Sequence, residues 1–247
     1  MADSVEQLEF RRRVIEQYLP AWCASYPPPA GPFDPLNFVV HDDWSFPTPG
    51  IARWFLTAID EGVVEATEHG GFLLGESWPD GIFDRRGSKD LHPQDRPLAL
   101  RRESILEVGA VGMLAHRYGW PAERLRFQPD PLDFCAYADD ERLEMVIAGE
   151  AKQYQPEAEE LAEDVKVCGA LGTHDEAECW RLRDIPKAKN RNHHRKYEGL
   201  VNLRPRIFWI VGPEAFARDD PDLVFAVEQG SGGIVRLHRT EASELAM

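Results

Sequence analysis

The sequence predicts an α/β fold in which helices flank a mixed central sheet. Three observations support this. Helical and strand-like patterns alternate through the middle of the chain. Two short apolar runs, residues 131–137 and 145–152, are separated by residues 138–144, which hold the polar segment Ala138-Asp139-Asp140-Glu141-Arg142, so they pair antiparallel through a turn. A further apolar run, residues 206–213, precedes a second hairpin spanning residues 223–238. At 247 residues the chain can bury a full core. It divides near residue 90 into an amino-terminal extension, residues 1–90, and an α/β domain, residues 91–247.

Taken in order, residues 4–19 form a helix with Val5, Leu8, Val14, Ile15, Tyr18 and Leu19 as its apolar positions, and Pro20 limits its extent. The stretch from Tyr26 to Pro35 holds too many prolines for anything but an extended or looped path. A second helix covers Ile51–Asp60 and ends near Gly62, followed by short strands at Val63–Val64, Gly71–Gly75 and Gly81–Asp84. A helix followed by a small hairpin loosely resembles a winged helix, but an elaboration packed on the core is the preferred reading. Arg85-Arg86-Gly87-Ser88-Lys89 reads as a basic loop joining the two parts.

The next helix falls between Arg101 and Pro121. Leu106, Ala110, Met113 and Leu114 recur at helical spacing, and Gly119 with Pro121 supplies the stop. Gly109 and Gly112 cost helix propensity, which is tolerable if they let the helix approach the sheet closely. Glu103 lies one turn before Leu106, on the side that meets the sheet.

In the strand pair that follows, alternation puts Asp133, Cys135 and Tyr137 on one face of the first strand. Val146, Ala148, Glu150 and Lys152 share a face of the second. Charges at the ends of apolar strands need a reason, because a buried carboxylate is costly unless it is paired or bound to a cation. Two hard oxygen donors beside an ammonium suit Mg2+ or Mn2+, the chemistry of a metal-dependent phosphodiesterase in which metal and Lys152 would prepare a water and offset charge at phosphorus. For an arbitrary Glu-x-Lys taken alone, a surface hairpin with Glu150 and Lys152 merely solvated is the preferred reading.

The order of these parts, a helix beginning with Glu103, then Gly119-Trp120-Pro121, Leu132-Asp133-Phe134 and Gly149-Glu150-Ala151-Lys152, resembles the PD-(D/E)XK nuclease superfamily. Within it the pattern is most similar to the amino-terminal nuclease domain of type I restriction endonuclease subunits, over residues 98 to 170 and in weaker form to Pro213. The resemblance implies a restriction-endonuclease-like core. It implies Asp133 and Glu150 as metal ligands, Lys152 as support for the attacking water, and Glu103 as a third acidic residue orienting water or a second metal. Asp130 is a rival to Asp133, which is preferred because it lies inside the strand pattern; Glu107 likewise rivals Glu103. The implied activity is Mg2+-dependent cleavage of nucleic acid, DNA before RNA, in bacterial antiviral defence. A protein partner for targeting or activation, and a homodimer, are compatible with it. The alternative is a catalytically silent module of the same fold that binds nucleic acid or a protein.

Net charge of −15 opposes generic DNA affinity, which comes from neutralising phosphates. The distribution answers in part. Acid concentrates in residues 157–164, a segment expected on a helix after the strands with a solvated face. Base concentrates in residues 187–196, where Lys187, Lys189, Arg191, Arg195 and Lys196 are candidates for tracking a phosphate backbone. Tyr197, beside them, is a candidate base-stacking platform, whereas Trp209 is assigned to the core.

Other chemistries are disfavoured. The chain has no Gly-x-x-x-x-Gly-Lys-Ser/Thr loop, no Gly-x-Ser-x-Gly elbow and no Cys-x-x-Cys pair. Its cysteines read as reduced and structural, His116 as a surface or satisfied side chain, and adjacent His193 and His194 as poorly placed to share an ion. The amino terminus lacks a basic-then-apolar signal pattern and the longest apolar run, Ile207–Val211, is too short to span a bilayer, so a cytoplasmic protein without membrane contact is expected.

Overall fold

A computed structural model describes residues 3–25, 46–75, 80–85, 98–171, 187–230 and 234–247. The proline-rich stretch after Tyr26 and residues 86–89 of the basic loop lie outside the described residues. Helix α1 (Val5–Arg13) opens on a capping box between Ser4 and Gln7. It runs through a π-helical turn, Val14–Tyr18, into α2 (Leu19–Ser25), so the helix does not stop at Pro20 as expected. The wider turn explains this: Leu19 N–H bonds to the Val14 carbonyl, five residues back, which relieves the ladder where Pro20 has no N–H to give.

Helix α3 (Pro49–Asp60) starts at Thr48, whose hydroxyl accepts from Ile51 N–H. A small antiparallel sheet follows, in the order β1 (Glu65–Ala66), β2 (Gly71–Leu73) and β3 (Asp80–Gly81). Beside it β4 (Phe83–Arg85) pairs with β5 (Leu98–Leu100). The strand expected at Val63–Val64 thus begins two residues later. Helix α4 (Arg102–Tyr118) ends at Gly119, whose φ of 79° makes the left-handed cap.

The main sheet holds six strands: β6 (Leu125–Phe127), β7 (Phe134–Tyr137), β8 (Met145–Ala151), β9 (Ile207–Val211), β10 (Val224–Gln229) and β11 (Val235–Arg239). They lie side by side in chain order, with every neighbour antiparallel except β8 and β9, which are parallel. A parallel neighbour requires a crossover, and the crossover contains α5 (Gln155–Leu171) and α6 (Lys187–Leu203). A short α7 (Pro213–Ala217) follows β9. The strand pair β7–β8, the buried strand β9 and the terminal hairpin β10–β11 fall where the apolar runs predict them. Strand β6 was not expected; its three residues are too few to show a period.

Alternation sorts the sheet into two faces. Ala136, Ile147, Ala151, Trp209 and Val211 join α1, α3, α4 and α7 in one apolar cluster, while Cys135, Ala148, Phe208 and Ile210 join α5 and α6 in a second. Helix α4 is buried on nearly every side because α3 covers the flank turned away from the sheet. Its glycines serve that flank, not the sheet as the spacing suggested. A Cβ on Gly112 would lie 2.6 Å from the Trp54 carbonyl oxygen of α3, and one on Gly109 would lie 3.0 Å from the Phe216 ring of α7.

Gly149 has a comparable role inside the sheet. The Phe134 ring lies over it, 2.1 Å from where a Cβ would stand, and packs edge-on to Trp209 with ring centroids 5.6 Å apart. Gly149→Ala should therefore lower the unfolding free energy by about 1–3 kcal/mol through overpacking. An unchanged urea midpoint would contradict this packing.

Candidate functional site

Three of the side chains singled out by sequence meet where β7 begins and β8 ends. Asp133 immediately precedes β7. Its backbone N–H donates to the Gly149 carbonyl at 3.0 Å, and its Oδ2 accepts from Ala151 N–H at 2.8 Å. These bonds lock the carboxylate beside β8, so Asp133 and Glu150 are neighbours by backbone geometry. Lys152 is held at the strand end by its N–H bond to the Val211 carbonyl, at 2.9 Å, and its ammonium donates to Glu150 Oε1 at 2.6 Å. Glu103, in the first turn of α4, lines a pocket with Lys152, Gln153, Glu157, Glu160, Asn192 and His193. Its rivals lie elsewhere: Asp130 is exposed and pairs with Arg195 at 3.1 Å, and Glu107 is buried deeper along α4, outside that pocket's lining.

The basic segment forms the first half of α6 and does not behave as a unit. Arg195 is exposed, while the side chains of Lys187, Lys189 and Arg191 lie outside the described residues. Lys196, grouped by sequence with the phosphate-tracking cations, is instead buried in the carboxylate cluster. Its Nζ lies 2.7 Å from Glu150 Oε2 and 3.8 Å from Asp133 Oδ1, and it donates to the Pro131 carbonyl. The contact to Oε2 is ionic but off the hydrogen-bonding direction, so that oxygen makes no hydrogen bond. Gly199, one turn along α6, permits the approach: a Cβ there would stand 2.7 Å from the Pro131 ring. Tyr197, a stacking candidate by sequence, is fully buried, and its hydroxyl accepts from Val235 N–H at 3.4 Å; it braces α6 against β11.

The acidic helix was expected to present a solvated face, and Glu159 and Glu163 do so. Asp164 does not. It is buried and its Oδ2 lies 2.5 Å from His193 Nδ1. His194 points to Glu198, 3.5 Å away, so the two adjacent rings serve different partners. Helical spacing was the signal that could have found these residues. His193, Lys196, Tyr197 and Leu200 fall at i, i+3, i+4 and i+7, one buried stripe of α6.

Burial raises the Glu150 carboxyl to about 7, with Asp133 adding to the rise and Lys152 and Lys196 opposing it. Burial also raises Glu103, partly offset by Lys152 and reinforced by Asp133 and Glu157. Burial pulls the Lys152 ammonium down, but Glu150 and Asp133 outweigh it and the net direction is upward. All three shifts favour the protonated form, the two carboxyls chiefly through burial and the Lys152 ammonium through its carboxylate neighbours. The donors are carboxylate oxygens, the chemistry of a hard divalent ion. As the side chains stand, no group of three or more His, Cys, Asp or Glu among the described residues converges to hold a metal.

Comparison with protein-family models, curated proteins and solved structures returned no significant match. Among the described residues no helix is long and apolar enough to cross a membrane.

Because the folded state binds the Glu150 proton more tightly than the unfolded chain, its stabilisation is complete below about 4.5 and is lost as pH rises through about 7. Glu150→Gln should remove this loss. Denaturant titrations at pH 4.5, 6 and 8 should show wild-type stability falling relative to the variant by up to a few kcal/mol; parallel pH profiles would refute the shift.

Proposed function

We propose that this chain is a metal-dependent phosphodiester hydrolase of the PD-(D/E)XK type, acting on nucleic acid. The observation behind this reading is the convergence of Asp133, Glu150 and Lys152 at one end of the β7–β8 pair, with Glu103 across the adjoining pocket. Mixed-sheet architecture with helices on both faces accords with a restriction-endonuclease-like core. Asp133 and Glu150, with Glu103 nearby, would hold Mg2+ or Mn2+, and such an ion supplies Lewis-acid polarisation of a phosphoryl oxygen and a water acidified for attack. Lys152, anchored through Glu150, orients that water and offsets charge developing at phosphorus. Lys196 balances the second oxygen of Glu150 and keeps the carboxylate turned toward the same place.

DNA is the favoured substrate and RNA the enzymatic rival. Exposed Arg195 on α6 is the described candidate for phosphate contact outside the site. With a net charge of −15, tight binding needs targeting by a partner or by a special nucleic-acid structure. A cytoplasmic role in defence against foreign DNA follows from the family resemblance alone.

One observation favours a second reading, a silent module that binds nucleic acid or protein: both Glu150 oxygens already face an ammonium. Calorimetric titration with Mg2+ in the presence of DNA separates the two, since the silent module gives no carboxylate-dependent heat.

Labelled single-stranded DNA, duplex DNA and RNA, incubated with Mg2+ or Mn2+, should reveal cleavage that EDTA abolishes. Lys152→Ala should reduce it by at least about 100-fold while the protein remains folded. Full activity in that variant would remove the assignment.

A further inference from the structure

Lys196 stands where a cation held by this site would stand. Its ammonium faces three oxygens: Glu150 Oε2 at 2.7 Å, Asp133 Oδ1 at 3.8 Å and the Pro131 carbonyl, to which it donates. Two carboxylate oxygens and a backbone carbonyl are the donor types a hard divalent ion takes. With the residue only 7% exposed, the ammonium is held inside this oxygen set and not beside it.

The ammonium fills that place imperfectly. Lys152 points an N–H at Glu150 Oε1, at 2.6 Å, whereas Lys196 directs its hydrogen bond to Pro131 and lies off the hydrogen-bonding direction of Oε2. Buried Oε2 accordingly accepts no hydrogen bond among the described residues, which is costly for a carboxylate oxygen. A divalent ion attracts oxygens by charge without needing an N–H direction, and would satisfy that lone pair. The two lysines also differ in attachment. Lys152 follows β8 directly and is fixed beside Glu150, while Lys196 enters from α6 on a flexible four-carbon stem. Rotation of that stem can withdraw the ammonium while the helix stays seated on Pro131 at Gly199.

Building on the nuclease reading, we propose that Lys196 is a resident competitor for the metal. In the resting protein its ammonium occupies a cation site made by Glu150 Oε2, Asp133 Oδ1 and the Pro131 carbonyl, and a divalent ion binds there by displacing it. The Pro131 carbonyl thereby joins the two carboxylates as a ligand. Apparent affinity for the ion is reduced in proportion to the fraction of molecules whose ammonium is withdrawn, so the level of free divalent ion sets how much of the protein is competent.

The test titrates Mn2+ calorimetrically into wild type, Lys196→Met and Lys152→Met. Either substitution removes one positive charge at nearly the same distance from Glu150, 2.7 or 2.6 Å, so attraction alone would tighten binding equally. Displacement predicts binding at least about tenfold tighter in Lys196→Met and no more than a few-fold tighter in Lys152→Met. Wild-type protein gives a second readout, which decides the question if Lys196→Met does not fold. Brief labelling with acetic anhydride, read by mass spectrometry, should modify Lys196 several-fold more when Mn2+ is present, while Lys152 labelling is unchanged. Bound Mn2+ with Lys196 labelling unchanged, or equal tightening in the two variants, would overturn the proposal and leave the nuclease reading standing. No binding heat in wild type or in Lys196→Met removes both. Binding by Lys196→Met alone upholds the competitor and removes the nuclease reading for the wild-type protein.

Discussion

The burial of Glu150 is the constraint on which the other features of the site depend. A carboxylate at 1% exposure is tolerable only with cations close by, and no single neighbouring strand supplies enough of them. Lys152 comes from the same strand two residues on, which period-2 alternation places on the same face. Lys196 comes from α6, 46 residues further along the chain than Glu150. That distance is spanned because β9 lies parallel to β8, so the intervening chain must cross the sheet face where Glu150 points. The crossover thus completes the charge balance of the strand it leaves.

Close backbone approach recurs wherever a site residue is positioned. Gly149 admits the ring of Phe134, its partner across the β7–β8 pair, and the same pairing sets Asp133 against the amide of Ala151. Gly199 lets α6 settle on Pro131, and Lys196 reaches the carboxylates from one turn away. On the opposite sheet face Gly112 lets α3 press on α4, whose first turn presents Glu103. Since interiors have the density of organic crystals, a methyl group at any of these positions would be felt at the site through displaced elements.

The acidity of the chain and the chemistry proposed for it are reconciled by separating two kinds of charge. Buried cations such as Lys152 and Lys196 answer local carboxylates and do not track a phosphate backbone. Exposed ones such as Arg195 can, in a chain whose 43 Asp and Glu outnumber its 28 Lys and Arg. On the proposed reading, the carboxylates at the site would draw a divalent cation, and the acidity of the chain would oppose general affinity for DNA. A nuclease with this distribution would depend on a bound metal for contact with the scissile phosphate and on something outside the site for choosing its target.

Periodicity in the sequence determined the strand pair 134–151, the strand 207–211, the terminal hairpin and the helix ending at Gly119, because apolar spacing and turn residues are local properties. It also placed Asp133, Glu150 and Lys152 on a common face, since antiparallel pairing through a short turn leaves one natural register. Only the tertiary structure decided that Lys196 belongs with the carboxylates and Arg195 with solvent. Adjacent in sequence and alike in charge, they are separated by the 100° between successive residues of a helix, and only the packing of α6 shows which direction is inward. The same holds for Asp164 and His193, which read as members of an acidic run and a basic run. Their pairing joins two helices across a segment of the chain whose path no local pattern specifies.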